Sequence, residues 1–423
     1  MRVLLSTIGS RGEVQPLVAL ASELRALGQE VRLCVPPDFR AWIEGLGFPV
    51  VPIGPELRPT AAPSPRATPV RPTPEQRRQL LEGTVATQFA TIPAAAEGCD
   101  VIVAGGALQI AARSIAEQLG IGYVYVSYCP ITLPSSHHAP LPIWGPTTID
   151  AGIGAGADPD EAAANRTLWA DDAQHWNDNV GTALNSHRAA IGLPPVVDVR
   201  GHIFTDQPWL AADPTLGPWP EPADPDHGVV QTGAWIVPER RALPAELEAF
   251  LEAGEPPVYF GFGSARATPE LGQELIRAAR ELGRRAVVSR GWADLSPLDG
   301  EPGWLSIGEV DHRSLFPRVA AVVHHGGAGT TTVAGLAAAP QVILPQLYDQ
   351  HYWARRVDQL GIGVVHPAAA PTADSLATAL DRVLRPDVVD RASAVAAAVR
   401  TDGAGTAART LAQVERKHNV SRM

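Results

Sequence analysis

The 423-residue chain has only three cysteines, Cys34, Cys99 and Cys129. Their wide separation excludes a redox CxxC pair or the paired spacing of a structural zinc site. Each lies in or beside an apolar run, the setting of a buried small hydrophobe. Long hydrophobic runs are also missing: nothing approaches the roughly 20 apolar residues that span a bilayer. Val3-Leu4-Leu5 gives way to a Ser/Thr/Gly turn too early for a signal peptide, so a cytoplasmic protein without stable membrane insertion is expected. Positive charge is short as well. The formal net charge is −11 and no Lys/Arg cluster is present to track a nucleic-acid backbone, which removes nucleic acid as a partner. No Lys follows the glycines at 326–329, so there is no Walker A loop. No G-x-G-x-x-G follows the first apolar run, which argues against a dehydrogenase on similar domains. His324-His325 has no nearby Cys or suitably spaced carboxylate, so no fixed metal site is expected.

What is present is the grammar of an α/β protein. Hydrophobic residues make up 45%, with 39 Gly and 40 Pro to serve many sharp turns. The length suits two domains of about 200 residues each. Val3–Leu5 reads as a strand covered on both faces. A helix follows the Gly9–Gly12 turn, with Pro16 early and Leu17, Leu20, Leu24 and Leu27 as its apolar stripe. Gly28 stops it before the next strand, Val31–Val35, completing a βαβ unit. The pattern recurs at 101–126 and again from Pro257 onward. Residues 55–74 and 130–163 read as surface loops. The expectation is two doubly wound Rossmann-like domains facing a central cleft. They would comprise residues 1–212 and 236–400, joined by a linker at 213–235, with a helical tail at 401–423 free to pack on either domain.

The most informative stretch is His324-His325-Gly326-Gly327-Ala328-Gly329-Thr330-Thr331. A buried strand running into imidazoles and small residues, then into a helix expected to open at Thr330, exposes unpaired N–H groups and a helix dipole to an anion. The Thr330 hydroxyl would cap that helix or add a bond. Asp349-Gln350, about 20 residues downstream, follows another strand. The pair reads either as a helix cap or as a clamp on sugar hydroxyls. Arg290-Gly291-Trp292 and Gly308-Glu309-Val310 each end an apolar strand. Trp292 offers either a flat face for a nucleobase or ordinary core packing.

Taken in chain order, GSRGEVQPLVALA (9–21), LNSHRAAIGLPP (184–195), TDQPWLAADP (205–214), VQTGAWIVP (230–238), VYFGFGS (258–264), VSRGWADL (288–295), GEV (308–310), HHGGAGTTTVAG (324–335) and PQLYDQ (345–350) resemble the GT-B nucleotide-sugar glycosyltransferases of family 1, above all the bacterial vancomycin group. The resemblance covers nearly the whole chain. It implies an acceptor-binding first domain and a donor-binding second domain. It also implies an inverting transfer of a hexose from a dTDP- or UDP-sugar to a hydroxyl of a natural-product aglycone. That acceptor would be glycopeptide-like, with a macrolide, aromatic polyketide or sterol as the alternative and a non-catalytic sugar-nucleotide or aglycone-binding protein as another. The resemblance sets Arg11, Ser264 and the His325-Gly326 region on the donor phosphates, with Ser10, Gly12, Arg290, His324, Gly327, Ala328, Gly329 and Thr330 also in the donor site. It sets Trp292 and Val310 around the base, and Asp349 and Gln350 on the donor sugar. It implies no tightly bound cofactor, no required metal, and a monomer or weak dimer.

Inversion needs one base to take the acceptor proton, and Glu13, in the turn after the first strand, is the candidate. The vancomycin group usually has Asp there. The longer side chain moves the carboxylate by about 1 Å, an error that can cost about 100-fold where position matters. Capping of the following helix is the other role open to Glu13. Tyr128, His137, His138, Trp144, Trp169 and Trp176 lie in segments able to line a pocket for a planar aglycone.

Overall fold

The computed structural model describes residues 1–61, 73–141, 159–221, 228–238, 241–265, 267–295, 303–367 and 371–421. Its first sheet holds β1 (Arg2–Thr7), β2 (Glu30–Val35), β3 (Val50–Pro52), β4 (Val101–Gly105), β5 (Gly122–Ser127), β6 (Trp209–Leu210) and β7 (Val230–Gln231) in the order β3-β2-β1-β4-β5-β6-β7. The second holds β8 (Val258–Gly261), β9 (Ala286–Ser289), β10 (Trp304–Ile307), β11 (Ala321–His324), β12 (Gln341–Ile343) and β13 (Gly363–Val365) in the order β10-β9-β8-β11-β12-β13. Every pairing is parallel. These strands read as unbroken apolar runs because helices cover both faces of each sheet. The architecture is two Rossmann-like α/β domains facing each other, a GT-B arrangement.

In such sheets a ligand crevice opens beyond the strand ends where the winding direction reverses. Here the reversals fall between β1 and β4 and between β8 and β11. The turn leaving β1 and the first helical turn after it carry residues 8–13, and the turn leaving β4 carries residues 106–111. Those leaving β8 and β11 carry the described residues 262–265 and 267–268, and residues 325–327. Most of the donor-site candidates therefore collect at two switch points.

Several boundaries differ from the sequence reading. The helix after β1 is Arg11–Ala26, so it opens before Gly12, and Pro16 lies inside it rather than at its start. Pro16 has no N–H for the Gly12 carbonyl one turn back, but Gly12 is exposed to water. The segment expected as a linker, 213–235, supplies β7, the edge strand of the first sheet. Asp213 is fully buried there and anchors a return of the chain. Its Oδ1 accepts from the Thr215 and Leu216 N–H groups at 2.9 and 3.0 Å, and its Oδ2 from Arg400 N–H at 2.8 Å. Within the two expected loops, Arg58–Ala61 is helical and Thr73 caps the helix Pro74–Ala95. Residues 62–72 and 142–158 lie outside the described residues.

The tail forms the helix Gly403–Ser421, whose Ala404, Ala407, Ala408 and Leu411 pack in one cluster with Val14, Leu17 and Leu24 of the first helix. The start of this helix also lies against the backbone after β7: a Cβ on Gly403 would fall 2.4 Å from the Ala234 carbonyl oxygen, so only glycine fits there. Apolar packing also runs between the halves. Ile343, Tyr352, Trp353 and Val357 share a buried cluster with Leu4, Ile8, Ile102 and Tyr125.

Candidate functional site

Glu13 sits in the first turn of Arg11–Ala26, where its Oε2 accepts the Ser10 N–H at 2.9 Å. Its carboxylate lies over two glycines. A Cβ on Gly9 would fall 1.6 Å from Oε2, and one on Gly106, whose φ is +86°, would fall 2.6 Å from Oε1. Small residues at the ends of β1 and β4 thus make the hollow that holds this acid. Burial raises its pKa from 4.5 to about 7, against the stabilising Ser10 bond, and the negative charge of Asp349 from the opposite domain adds to the rise. Glu13 therefore caps a helix and also holds a proton near neutrality.

Arg11 is not free. Its Nη1 meets Glu309 Oε2 of the second domain at 2.8 Å, its Nε donates to Gln15 Oε1 at 3.2 Å, and its guanidinium lies 4.3 Å from the Trp42 ring centre. Burial lowers its pKa, with Glu309 opposing that shift. Trp292 is likewise engaged across the cleft, stacked on Phe39 with centroids 5.9 Å apart at 27°. Its backbone N–H donates to the Gly263 carbonyl at 2.9 Å. Ser10 caps the first helix, Gly12 is exposed beside it, and Arg290 is exposed near Gly308. Val310 packs partly buried under β10.

The glycine turn does lead into a helix N-terminus, with two corrections to the sequence reading. The helix is Ala328–Leu336 and Gly327 stands at its cap, so Thr330 lies within the first turn and does not cap it. His324 is fully buried and turned inward. Its Nδ1 accepts from Gly326 N–H at 3.1 Å, which leaves Nε2 to donate to Gln341 Oε1 at 3.0 Å. Burial drops its pKa to about 3, so it is a neutral strut and carries no charge to an anion. His325 is partly exposed. Its Nδ1 is buried with no hydrogen-bond partner among the described residues, and burial lowers its pKa to about 4. It abuts the first of the two turns as well, since a Cβ on Gly263, which precedes Ser264, would lie 3.5 Å from His325 Cε1. Gly326 has φ +92°, and a Cβ there would meet Ile343 Cγ2 at 2.7 Å and Gln350 O at 3.0 Å, so no larger residue fits. The N–H groups of Ala328, Gly329 and Thr330 have no acceptor within the helix.

Asp349 stands at the N-cap position of the helix Gln350–Gln359 without a side-chain bond to its first turn, and its Oδ2 accepts Trp353 Nε1–H at 3.2 Å instead. Burial raises its pKa to about 6. Gln350 Oε1 accepts from the Gln346 and Leu347 N–H groups at 2.7 and 3.0 Å, so the carbonyl is committed to its own loop and the amide nitrogen is what it can offer outward.

The aromatic candidates separate. Tyr128 belongs beside the acid: its hydroxyl donates to the Glu13 backbone carbonyl at 3.2 Å. His138, 5% exposed, packs edge-on against Trp169 and Trp219, and Trp169 Nε1–H donates to His138 O at 2.8 Å. Trp176 is spent on Phe204 in the core. His137 is partly buried with an unpartnered Nδ1, and Trp144 lies outside the described residues. Sequence reasoning passed over Phe39, Tyr348 and the side chain of Glu309. Glu309 stood inside a quoted motif, but its partner is 298 positions away, and nothing local announces such a pairing. Among the described residues no cluster of three or more His, Cys, Asp or Glu could hold a metal, and no helix is long and apolar enough to cross a membrane.

Residues 3–136 match the glycosyltransferase family 28 N-terminal domain, where the motifs point to family 1. Residues 302–410 match the erythromycin biosynthesis protein CIII-like C-terminal domain. The chain is 50% identical over 413 residues to the vancomycin aglycone glucosyltransferase of Amycolatopsis orientalis, covering 97% of each. It is 43% identical over 403 residues to that organism's dTDP-epi-vancosaminyltransferase, covering 93% of each. A solved structure of the glycotransferase of kitacinnamycin has a TM-score of 0.70 over 98% of both chains at 20% identity, a likeness of fold.

Proposed function

Because this chain belongs to the GT-B nucleotide-sugar glycosyltransferases related to the vancomycin glycosyltransferases of Amycolatopsis orientalis, we propose that it moves a hexose from a dTDP- or UDP-sugar to a hydroxyl of a glycopeptide-like aglycone, with Glu13 as the base. Transfer by an inverting enzyme of this family goes from a nucleotide sugar to a small-molecule acceptor. The observation that supports Glu13 as the base is its buried carboxylate, seated over Gly9 and Gly106 at the first switch point and close enough to Asp349 of the second domain to feel its charge.

In the proposed reaction the acceptor hydroxyl gives its proton to Glu13 as its oxygen bonds to C1 of the hexose. The C1–O bond to the diphosphate breaks, and the departing nucleoside diphosphate keeps the electron pair, so C1 inverts. That leaving group needs donors rather than an acid. The first-turn N–H groups at 328–330 and the dipole of the helix, about half a positive charge at its N-terminus, supply them. Neutral His325 can add an N–H, and Arg11 can add its guanidinium once released from Glu309. Asp349 and the Gln350 amide are the groups proposed for the sugar hydroxyls, and Trp292 for the base. A macrolide is the second acceptor class.

The test is a mass-spectrometric screen of purified protein with dTDP- and UDP-glucose against glycopeptide, macrolide, aromatic polyketide and sterol aglycones. A single-hexose adduct on the glycopeptide aglycone is expected. Adducts confined to another class would move the acceptor assignment, and none with any pair would remove the proposed activity.

A further inference from the structure

Tyr348 stands between the two halves of the proposed reaction, and neither a sugar clamp nor a base accounts for it. It precedes Asp349 on the loop after β12, in the second domain. Its backbone is left-handed at φ +54°, a conformation that bulky residues rarely adopt and that persists only where the surroundings hold it. It sits where the two domains meet: the ring packs against a buried cluster that joins Ile8, Ile102, Tyr125 and Cys129 of the first domain to Ile343, Tyr352 and Trp353 of the second. Burial raises the phenol's pKa further from neutrality, and Asp349, Cys129 and Glu13 are among the groups whose negative charge adds to the rise. The phenol therefore lies close to the proposed base and to the residue proposed for the donor sugar. Tyr125, stacked on Phe204 with centroids 4.5 Å apart, feels the same phenol.

We propose that Tyr348 is a specificity-determining residue, its ring forming the donor-side wall of the acceptor pocket over Glu13 and limiting the bulk of the aglycone beside the reacting hydroxyl. This rests on the transfer reading above. The strained backbone aims the ring, and the ring sets the clearance. A flat phenolic acceptor would lie along it by face contact, whereas a bulkier one must displace it.

The experiment compares wild type with Tyr348→Phe, Tyr348→Ala and Tyr348→Gly, using 4-nitrophenol as the small, flat acceptor and a macrolide aglycone as the bulky one. Steady-state kinetics give kcat and KM for each acceptor and for the donor. Quenching of tryptophan fluorescence gives acceptor binding without turnover. The Phe variant should match wild type. The Ala variant should raise the bulky-to-small ratio of kcat/KM, and of binding constants, by about 10-fold or more with donor KM unchanged. The Gly variant relieves the left-handed backbone and should give the same ratio as Ala, because the missing ring is what counts. An unchanged ratio in Ala and Gly, or an equal loss for both acceptors, overturns the proposal. Wild type that binds acceptors without transferring sugar would sink the catalytic reading alone, since the binding ratios still decide the role of Tyr348.

Discussion

At Glu13, burial and the Ser10 N–H pull the proton in opposite directions, and burial prevails. A base must be ionised, so kcat/KM should climb with pH through about 7 and level off above it, as a pH-rate profile would record. Stability should move the other way. Between pH 4.5 and about 7 the folded carboxyl keeps a proton that the unfolded chain has released, so stability is highest below 4.5 and falls as pH rises to about 7. Asp349 contributes the same slope between 3.8 and about 6. Melting temperature followed against pH should show this decline, and Glu13→Gln should flatten its upper part. His324 belongs to a different class of residue. With both ring nitrogens engaged inside, His324→Ala orphans Gln341 Oε1 and the Gly326 N–H and should cost about 1–3 kcal/mol in a urea titration.

The glycine turn and its helix act as one element. Gly326→Ala forces a Cβ against Ile343 and the Gln350 backbone, displacing the terminus that would hold the diphosphate. Donor kcat/KM should fall by about 10- to 100-fold, read from steady-state rates with dTDP-glucose and UDP-glucose. A variant with unchanged donor kinetics would detach this turn from donor binding. Strand-turn-helix punctuation made the element visible in the sequence, because an apolar run ending in His and Gly leaves few other conformations. Its start was misplaced by two residues, since the helix opens at Ala328 where Thr330 was expected. Neighbouring histidines of identical chemistry could not be told apart either. Whether His324 or His325 turns outward is decided by Gln341 on the adjacent strand.

For the whole molecule, the two doubly wound halves were readable from repeated βαβ punctuation, whereas β7 was not: a two-residue edge strand has no period to detect. Contacts between the halves were equally hidden, because Arg11 with Glu309 and Phe39 with Trp292 each join positions more than two hundred residues apart. Both pairs tie up a group proposed for the donor. The Arg11–Glu309 pair is partly exposed, so it is worth no more than about 1 kcal/mol. Glu309→Gln should therefore lower donor KM by up to about fivefold, and added salt should reproduce the effect in wild type but not in the variant. Insensitivity of both proteins to salt would show that Arg11 is not drawn from Glu309 by the donor.

The most direct test pairs two readings on one variant, Glu13→Gln: the rate of hexose transfer under donor saturation and the dissociation constant of the nucleoside diphosphate. Transfer should fall by about 10²–10⁴ with diphosphate affinity nearly unchanged. Transfer at the wild-type rate would contradict the account.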